Sequence, residues 1–278
     1  MADLEISIGG RPVPLRVSFA PILDRAGAVE FGIAVLEDVT DERLATTLLA
    51  HQAEELARSN AELEQFAYVA SHDLSEPLRS VAGFVQLLSQ RYKGRLDDDA
   101  DEFIGFTLEG VRRMQTLIQD LLTYSRVSRL DYERVPVDCN RLMAEALQAE
   151  TFIHVSELPT VWGDAGQLRS VFQNLVANGL KFKAPGREPE LWISAVRHDT
   201  SWEFCVADNG IGIAEQHRER VFKMFQRLHS QDDFPGTGMG LSICQRIVQR
   251  HGGKIWVENN HDHGSAFRFT LPDRETLP

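Results

Sequence analysis

Between residues 4 and 37, apolar and polar positions alternate in three short runs, at 4–8, 13–19 and 29–37, each carrying β-branched side chains. A period of two over such lengths predicts three β-strands. Gly9-Gly10 and Asp24-Arg25-Ala26-Gly27 supply the turns. So few strands cannot enclose a ligand core. From Asp41 to about Arg91 the chain favours helix, and Leu49, Leu56 and Leu63 recur every seventh residue, as one seam of a coiled coil does. The companion seam (Gln52, Ser59, Phe66) is poor, so the coil is short or weak. Leu74, Leu78, Val81, Val85 and Leu88 then follow alternating spacings of four and three. Tyr92-Lys93-Gly94-Arg95-Leu96-Asp97 breaks the helix, and acids at 98–101 favour the start of the next one. That second helix carries a similar stripe, Ile104, Leu108, Val111, Ile118 and Leu122. The two form a hairpin whose apolar faces are best buried by a second hairpin, which predicts a dimeric four-helix bundle.

After Pro136 the texture changes to alternating elements: helix 138–149, strand 151–155, helix 165–182, strands 190–197 and 202–207, helix 239–251, strands 254–258 and 265–271. The fold class expected is α+β, with this last part an α/β sandwich. Residues 213–237 show little periodicity, and loops of that length inside a compact domain are often lids.

Composition narrows the function classes. The 278 residues suffice for two domains, and the 43% hydrophobic and 25% charged content is that of soluble globular protein. A net charge of −12 leaves no basic face for nucleic acid or anionic lipid. Cys139, Cys205 and Cys244 are too far apart for metal-ligand spacing and read as buried thiols of a reducing compartment. No apolar run reaches the ~18 residues of a spanning helix. A cytoplasmic chain without a membrane segment is expected.

Four motifs carry candidate chemistry. The first is His72-Asp73-Leu74-Ser75-Glu76-Pro77-Leu78-Arg79. His72 lies two residues before Leu74, taken as core-facing, so about 200° of helix turns its imidazole away from the hairpin core. Asp73 is placed to fix the ring tautomer and leave the other nitrogen nucleophilic. Pro77 has no N–H to give the Asp73 carbonyl; a bend beside His72 and a harmless kink are both open readings. A serine-hydrolase relay through Ser71-His72-Asp73 fails, because consecutive helical residues fan apart by about 100°. The second motif is Asn174-Leu175-Val176-Ala177-Asn178 with Lys181, whose polar side chains share one helix face. The third is Asp208-Asn209-Gly210-Ile211-Gly212, at a strand end. The fourth is Gly236-Thr237-Gly238-Met239-Gly240-Leu241, opening a helix whose first N–H groups suit an anion. Phe222 and Phe225 form an aromatic pair in the lid. Arg227 beside them is either a phosphate contact or an ordinary surface residue. No G-x-x-x-x-G-K-[ST] run is present, which excludes a P-loop enzyme.

In this order the four motifs resemble the sensor histidine kinases of two-component signalling, over roughly residues 41–272. The stretch Tyr68-Val69-Ala70-Ser71-His72-Asp73-Leu74 with Glu76-Pro77-Leu78-Arg79 looks like the subgroup coupled to PAS or phytochrome sensors. The resemblance implies a Bergerat (GHKL) ATP-binding fold at the C-terminus, and a phosphorylated His72 oriented by Asp73. It implies Asn178 as the Mg²⁺ ligand, Asn174 as a phosphate or metal-shell contact and Lys181 as a phosphate contact. Asp208 would accept from the adenine amine, Gly210 and Gly212 would let backbone approach the base, and Gly236, Gly238 and Gly240 would lie along the phosphates with Arg227. The phosphoryl group would pass to an aspartate of a separate response regulator, since the sequence holds no receiver domain. Glu37-Asp38-Val39-Thr40 looks like the end of a PAS domain, so residues 1–40 are expected to be a truncated remnant, followed by a signalling helix 41–66, a dimerisation and phosphotransfer domain 67–130 and a catalytic domain 131–278. Two departures stand out. Gly179 replaces the usual Ala, and Glu76 stands where relatives with phosphatase activity carry Thr, Asn or Gln. Two rival readings survive at this stage: a clamp ATPase of the gyrase or heat-shock type, and a nucleotide-binding dimeric scaffold without catalysis.

Overall fold

The computed structural model describes residues 2–8, 11–23, 27, 29–129, 134–146, 152–229, 234, 236–260 and 263–273. The chain divides into two compact units, Met1–Glu64 and Gln65–Pro278. In the first, β1 (Ala2–Ile8), β2 (Arg11–Leu23) and β3 (Val29–Asp38) pair antiparallel in that order, as the alternating runs predict. The expected Gly9-Gly10 turn and residues 24–26 of the second turn lie outside the described residues. Leu15, Val17 and Val39 are buried, whereas Phe19, Ile33, Val35 and Leu36 remain exposed, so this sheet covers little apolar surface.

Helix α1 (Thr40–Tyr92) begins at a side-chain cap. The Asp38 carboxylate accepts from the Thr40 hydroxyl (2.6 Å) and N–H (2.9 Å), and these bonds hold its carboxyl below the ordinary range. The Val39 N–H donates to the Pro14 carbonyl, and Arg16 forks onto both oxygens of Glu42 at 2.8 and 3.0 Å. Leu49 and Leu56 of the expected seam are exposed on the single chain; the side chains of Leu63 and Phe66 lie outside the described set.

In the second unit, α1 turns into α2 (Asp98–Arg129) through residues 93–97. Gly94 has φ +69° and donates its N–H to Asp101, while Asp97 caps the Ala100 N–H at 2.9 Å. Ser71 and Leu78 of α1 are buried, with Ser75, Ala82, Val85 and Ser89 half-buried at the same alternating spacing. The α2 stripe behaves as expected: Val111 and Leu122 are buried, and Ile104, Leu108 and Ile118 half-buried. Leu74, Val81 and Leu88 are 57, 46 and 47% exposed, which corrects the single core stripe expected for α1. The apolar band of α1 is wide enough to hold two seams. The seam through Ser71 and Leu78 is packed within the chain, and the seam through Leu74 is left facing outward.

The remainder is a layered α+β structure. Strands β5 (Ile153–Val155), β7 (Leu191–Arg197), β8 (Ser201–Asp208), β10 (Ser265–Pro272) and β9 (Ile255–Asn259) form one sheet in the order β5-β7-β8-β10-β9. Only β5–β7 is parallel. β4 (Val135–Asp138) and β6 (Thr160–Gly163) make a separate antiparallel ribbon. The sequence reading missed both, because a Pro at 136 and four-residue lengths carry little strand signal. Helix α3 (Cys139–Ala146) is seen where 138–149 was expected; residues 147–151 lie outside the description. α4 (Ala165–Lys181) and α5 (Gly240–Arg250) pack on the sheet. Phe172 of α4 meets Phe204 and Phe269 edge-on at 5.7 and 5.5 Å, and those two rings, cross-strand partners, stack at 4.9 Å.

His251 ties the two helices together. Its ring is buried; Nε2 accepts the Asp164 N–H at the start of α4 (3.1 Å) and Nδ1 donates to the Ile247 carbonyl in the last turn of α5 (2.8 Å). Burial lowers its pKa, which agrees with the neutral tautomer these two bonds require. Cys139 and Cys244 are buried thiols pushed up to about 12, inert as expected.

Candidate functional site

The core face of α4 decides what its other face presents. With Leu168, Val171, Phe172, Leu175 and Val176 buried, Asn174, Asn178 and Lys181 line a cavity of about 300 Å³. Asp208, at the end of β8, supplies another wall and is 6% exposed. Its Oδ1 accepts the N–H groups of Gly210 (2.9 Å) and Ser265 (3.0 Å), and its main-chain carbonyl accepts from Asn260. Burial pushes the Asp208 carboxyl above its ordinary range, against the pull of those two amides. Both amide bonds fall on Oδ1, so Oδ2 keeps its acceptor capacity.

Two glycines are fixed by close approach. A Cβ on Gly210 would stand 2.2 Å from the Phe182 carbonyl oxygen. Gly179 would meet Leu191 at 2.6 Å, so the residue that departs from the family's Ala sits where β7 crowds α4. Gly212, Gly236, Gly238 and Gly240 line the cavity with Arg227, whereas Gly210, expected with them, is not part of the lining.

Lys181 and Arg227 put two cations at one end. Burial and then the Arg227 charge lower the Lys181 pKa, since both disfavour the protonated amine. Arg227 donates to the Phe234 carbonyl at 2.9 Å, holding the described parts of the lid together. The lid itself is two short 3-10 turns, Glu215–His217 and Arg220–Phe222; residues 230–233 and 235 lie outside the description. Phe222 is buried edge-on against Phe267, but Phe225 is 54% exposed with φ +59°, a strained backbone for an aromatic residue. The expected aromatic pair is therefore split.

Sequence reasoning missed several lining residues. Phe182, His229 and Phe234 form a ring cluster with centroids 4.9 to 6.1 Å apart, and Lys181 Nζ lies 4.6 Å from the Phe182 centroid. Asp120 of α2 also lines the cavity, and its Oδ2 accepts the Thr237 hydroxyl at 2.5 Å. The available signal was a carboxylate set into the apolar stretch Ile118–Leu122.

His72 is not part of the cavity lining. Its side chain is 72% exposed, and Nδ1 meets Asp73 Oδ1 at 3.1 Å, leaving Nε2 toward solvent. The outward imidazole agrees with expectation, but the reference was wrong: Ser71 and Leu78, not Leu74, mark the packed face. The Ser75 hydroxyl donates to the Ser71 carbonyl (2.8 Å), and Pro77 leaves the Asp73 carbonyl without a helical N–H.

Residues 62–129 match the His Kinase A (phospho-acceptor) domain model, and residues 163–275 match the histidine kinase-, DNA gyrase B- and HSP90-like ATPase model. The chain is 47% identical over 240 residues to the phytochrome-like protein Cph1 of Synechocystis sp., covering 81% of this chain and 32% of that protein. It spans about a third of the length of the curated phytochrome relatives it matches. Among solved structures it is similar to full-length ShkA in complex with AMPPNP, at 26% identity and a TM-score of 0.58, covering 75% of this chain and 45% of that one. It shares a fold with the histidine kinase ThkA in complex with the response regulator protein TrrA, at 23% identity and a TM-score of 0.55, covering 98% and 78% of the two chains. With an acceptor-type helix bearing His72 and a nucleotide-type cavity under α4, the chain belongs to the two-component sensor histidine kinase family.

Proposed function

We propose that this chain transfers the γ-phosphoryl group of ATP to His72 and then to an aspartate of a separate response regulator. The observation that carries the proposal is convergence. Motifs at 174–181, 208–212 and 236–240, far apart in sequence, line or back one cavity, in a chain that also holds an exposed histidine oriented by Asp73. Asp208 Oδ2 is the acceptor for the adenine amine. Lys181, Arg227 and the amides opening α5 take the phosphates. Among the described residues no cluster of three or more His, Cys, Asp or Glu exists to hold a metal alone. The Asn178 amide oxygen, with Asn174 near it, fits Mg²⁺, a hard cation that keeps waters and shares phosphate oxygens. When bound it offsets charge on the phosphates.

His72 Nε2 attacks the γ-phosphorus, the bond to the bridging oxygen breaks and ADP leaves. The proton on Nδ1 is drawn to Asp73, whose carboxylate supports the imidazolium as it forms. We divide the chain into a PAS-like sheet at 1–40, a signalling helix at 41–66, a dimerisation and phosphotransfer domain at 67–130 and a catalytic domain at 131–278. The outward seam of Leu74, Val81 and Leu88 supports a homodimer closing a four-helix bundle. No described helix is long and apolar enough to cross a membrane; a cytoplasmic setting is part of the proposal. Glu76 is exposed on the acceptor helix, and its charge opposes a phosphorylated partner, so phosphatase activity is weak.

The test is a timed incubation with Mg²⁺ and γ-labelled ATP, for the wild type and His72→Gln. Acid-labile, alkali-stable label that is lost in the variant supports the kinase. Phosphate release without phosphoenzyme would instead support a clamp ATPase, and nucleotide binding with no label a scaffold.

A further inference from the structure

One wall of the cavity comes from outside the ATP-binding fold. Asp120 belongs to α2, the second helix of the hairpin, yet it lines the same cavity as Asn178 and Lys181. Its carboxylate accepts the Thr237 hydroxyl at 2.5 Å, and the Thr237 oxygen in turn accepts the Met239 N–H at 3.3 Å. The chain of bonds therefore runs from the amide of Met239, the residue that caps the start of α5, to a negative charge. That is the polarity a phosphate would satisfy at the same helix end.

We infer that Asp120 is an electrostatic latch: a carboxylate of the hairpin that bonds the glycine-rich turn and must yield when a polyphosphate enters the cavity. The inference rests on the ATP-site reading above. Two observations separate the latch from a passive surface contact. Asp120 lines the same cavity as the cations Lys181 and Arg227, so an anion drawn to them enters the space its carboxylate borders. Burial also pushes the Asp120 carboxyl above its ordinary range, with the Thr237 bond pulling the other way, so this charge is already costly where it sits.

A nucleotide carrying several negative charges meets like charge at Asp120, whereas an uncharged nucleoside does not. Entry of the phosphates displaces the carboxylate and, with it, the hydrogen bond between α2 and the glycine turn. The same ligand that fills the site thus weakens one of the contacts between the ATP-binding fold and the hairpin, beside the packing of Val127 and Tyr124. Asp120 acts through this contact and is a positioning residue.

The test is equilibrium binding of adenosine, ADP and ATP to the full chain, with and without Mg²⁺, for the wild type, Asp120→Asn and Asp120→Ala. Asn keeps an acceptor for Thr237 and removes the charge; Ala removes both. The expected result is ATP binding tighter by about tenfold in both variants, a smaller gain for ADP and none for adenosine. A purely structural role would shift all three ligands together, and that outcome would overturn the latch. Unchanged ATP binding overturns it too, as does a gain confined to Asp120→Ala, which would make the hydrogen bond the obstacle and not the charge. Weaker ATP binding in Asp120→Asn that appears only with Mg²⁺ would make Asp120 a cation contact. If the wild type binds none of the three ligands, the ATP-site reading itself fails, a result distinct from all of these.

Discussion

The acceptor helix and the nucleotide cavity solve opposite problems. His72 stands on the solvent face of one helix and is oriented by the neighbouring residue alone. Asp208 is held by a turn, a strand and an asparagine from three places in the chain, behind a wall where one added methyl would strike a carbonyl. A phosphoryl acceptor, the role proposed for His72, has to meet one donor and then one recipient, so it stays open. A nucleotide site has to exclude water and hold one ligand, so it is built by many elements. The difference predicts that damage to the packing behind the cavity is structural and global, whereas exchange of a single contact group, at His72 or at Asp208, is chemical and local.

The sharpest way to break that comparison is Phe172→Ala. Removing the ring that meets both Phe204 and Phe269 edge-on should cost about 3–5 kcal/mol, read by chemical denaturation with a nucleotide-binding signal. A loss below about 1 kcal/mol would mean that α4 is not the pillar of the cavity. Next comes Asp208→Asn, which keeps the shape and turns an acceptor into a donor. ATP affinity should drop by roughly a hundredfold, on the order of 2–3 kcal/mol, with the melting temperature nearly unchanged. The hairpin is probed by Leu74→Ser with Leu88→Ser: sedimentation should show the dimer weakened by at least tenfold while nucleotide affinity stays the same. A dimer that persists would locate the interface elsewhere.

The smallest effect is a pH dependence. His251 has a folded pKa below its ordinary 6.5 because burial disfavours the charge. As pH falls, the unfolded chain takes up this proton first, so the contribution of His251 is complete above about pH 6.5 and is lost as pH falls toward the lowered native value. Melting curves between pH 8 and 5 should show a wild-type decline that is shallower in His251→Asn.

Much of this was legible in the sequence, because helical and strand periods are local properties. α1, α2, α4, α5 and the strands β1–β3 and β7–β10 lie within a few residues of where the spacing put them. The ribbon of β4 and β6 was not, since each strand owes its existence to the other across two dozen residues. Leu74 was misassigned because one amphipathic band can face two partners, and spacing alone does not say which seam closes first. Asn174, Asn178, Lys181 and Asp208 were found because each sits in a short motif. Asp120, Phe182, His229 and Phe234 were not, because their meaning arises only when α2 and the lid are folded against α4.

The missing N–H of Pro77 has a mechanical consequence. A helix resists twisting through its continuous ladder of backbone bonds, and at the Asp73 carbonyl one rung is gone. Any torque carried along the 53 residues of α1 is therefore absorbed most readily at the turn that bears His72. Amide exchange around 73–77 should accordingly be faster than in the turns on either side. His72, the proposed acceptor, sits in the turn that lacks this rung, where a small rotation changes the aim of one ring.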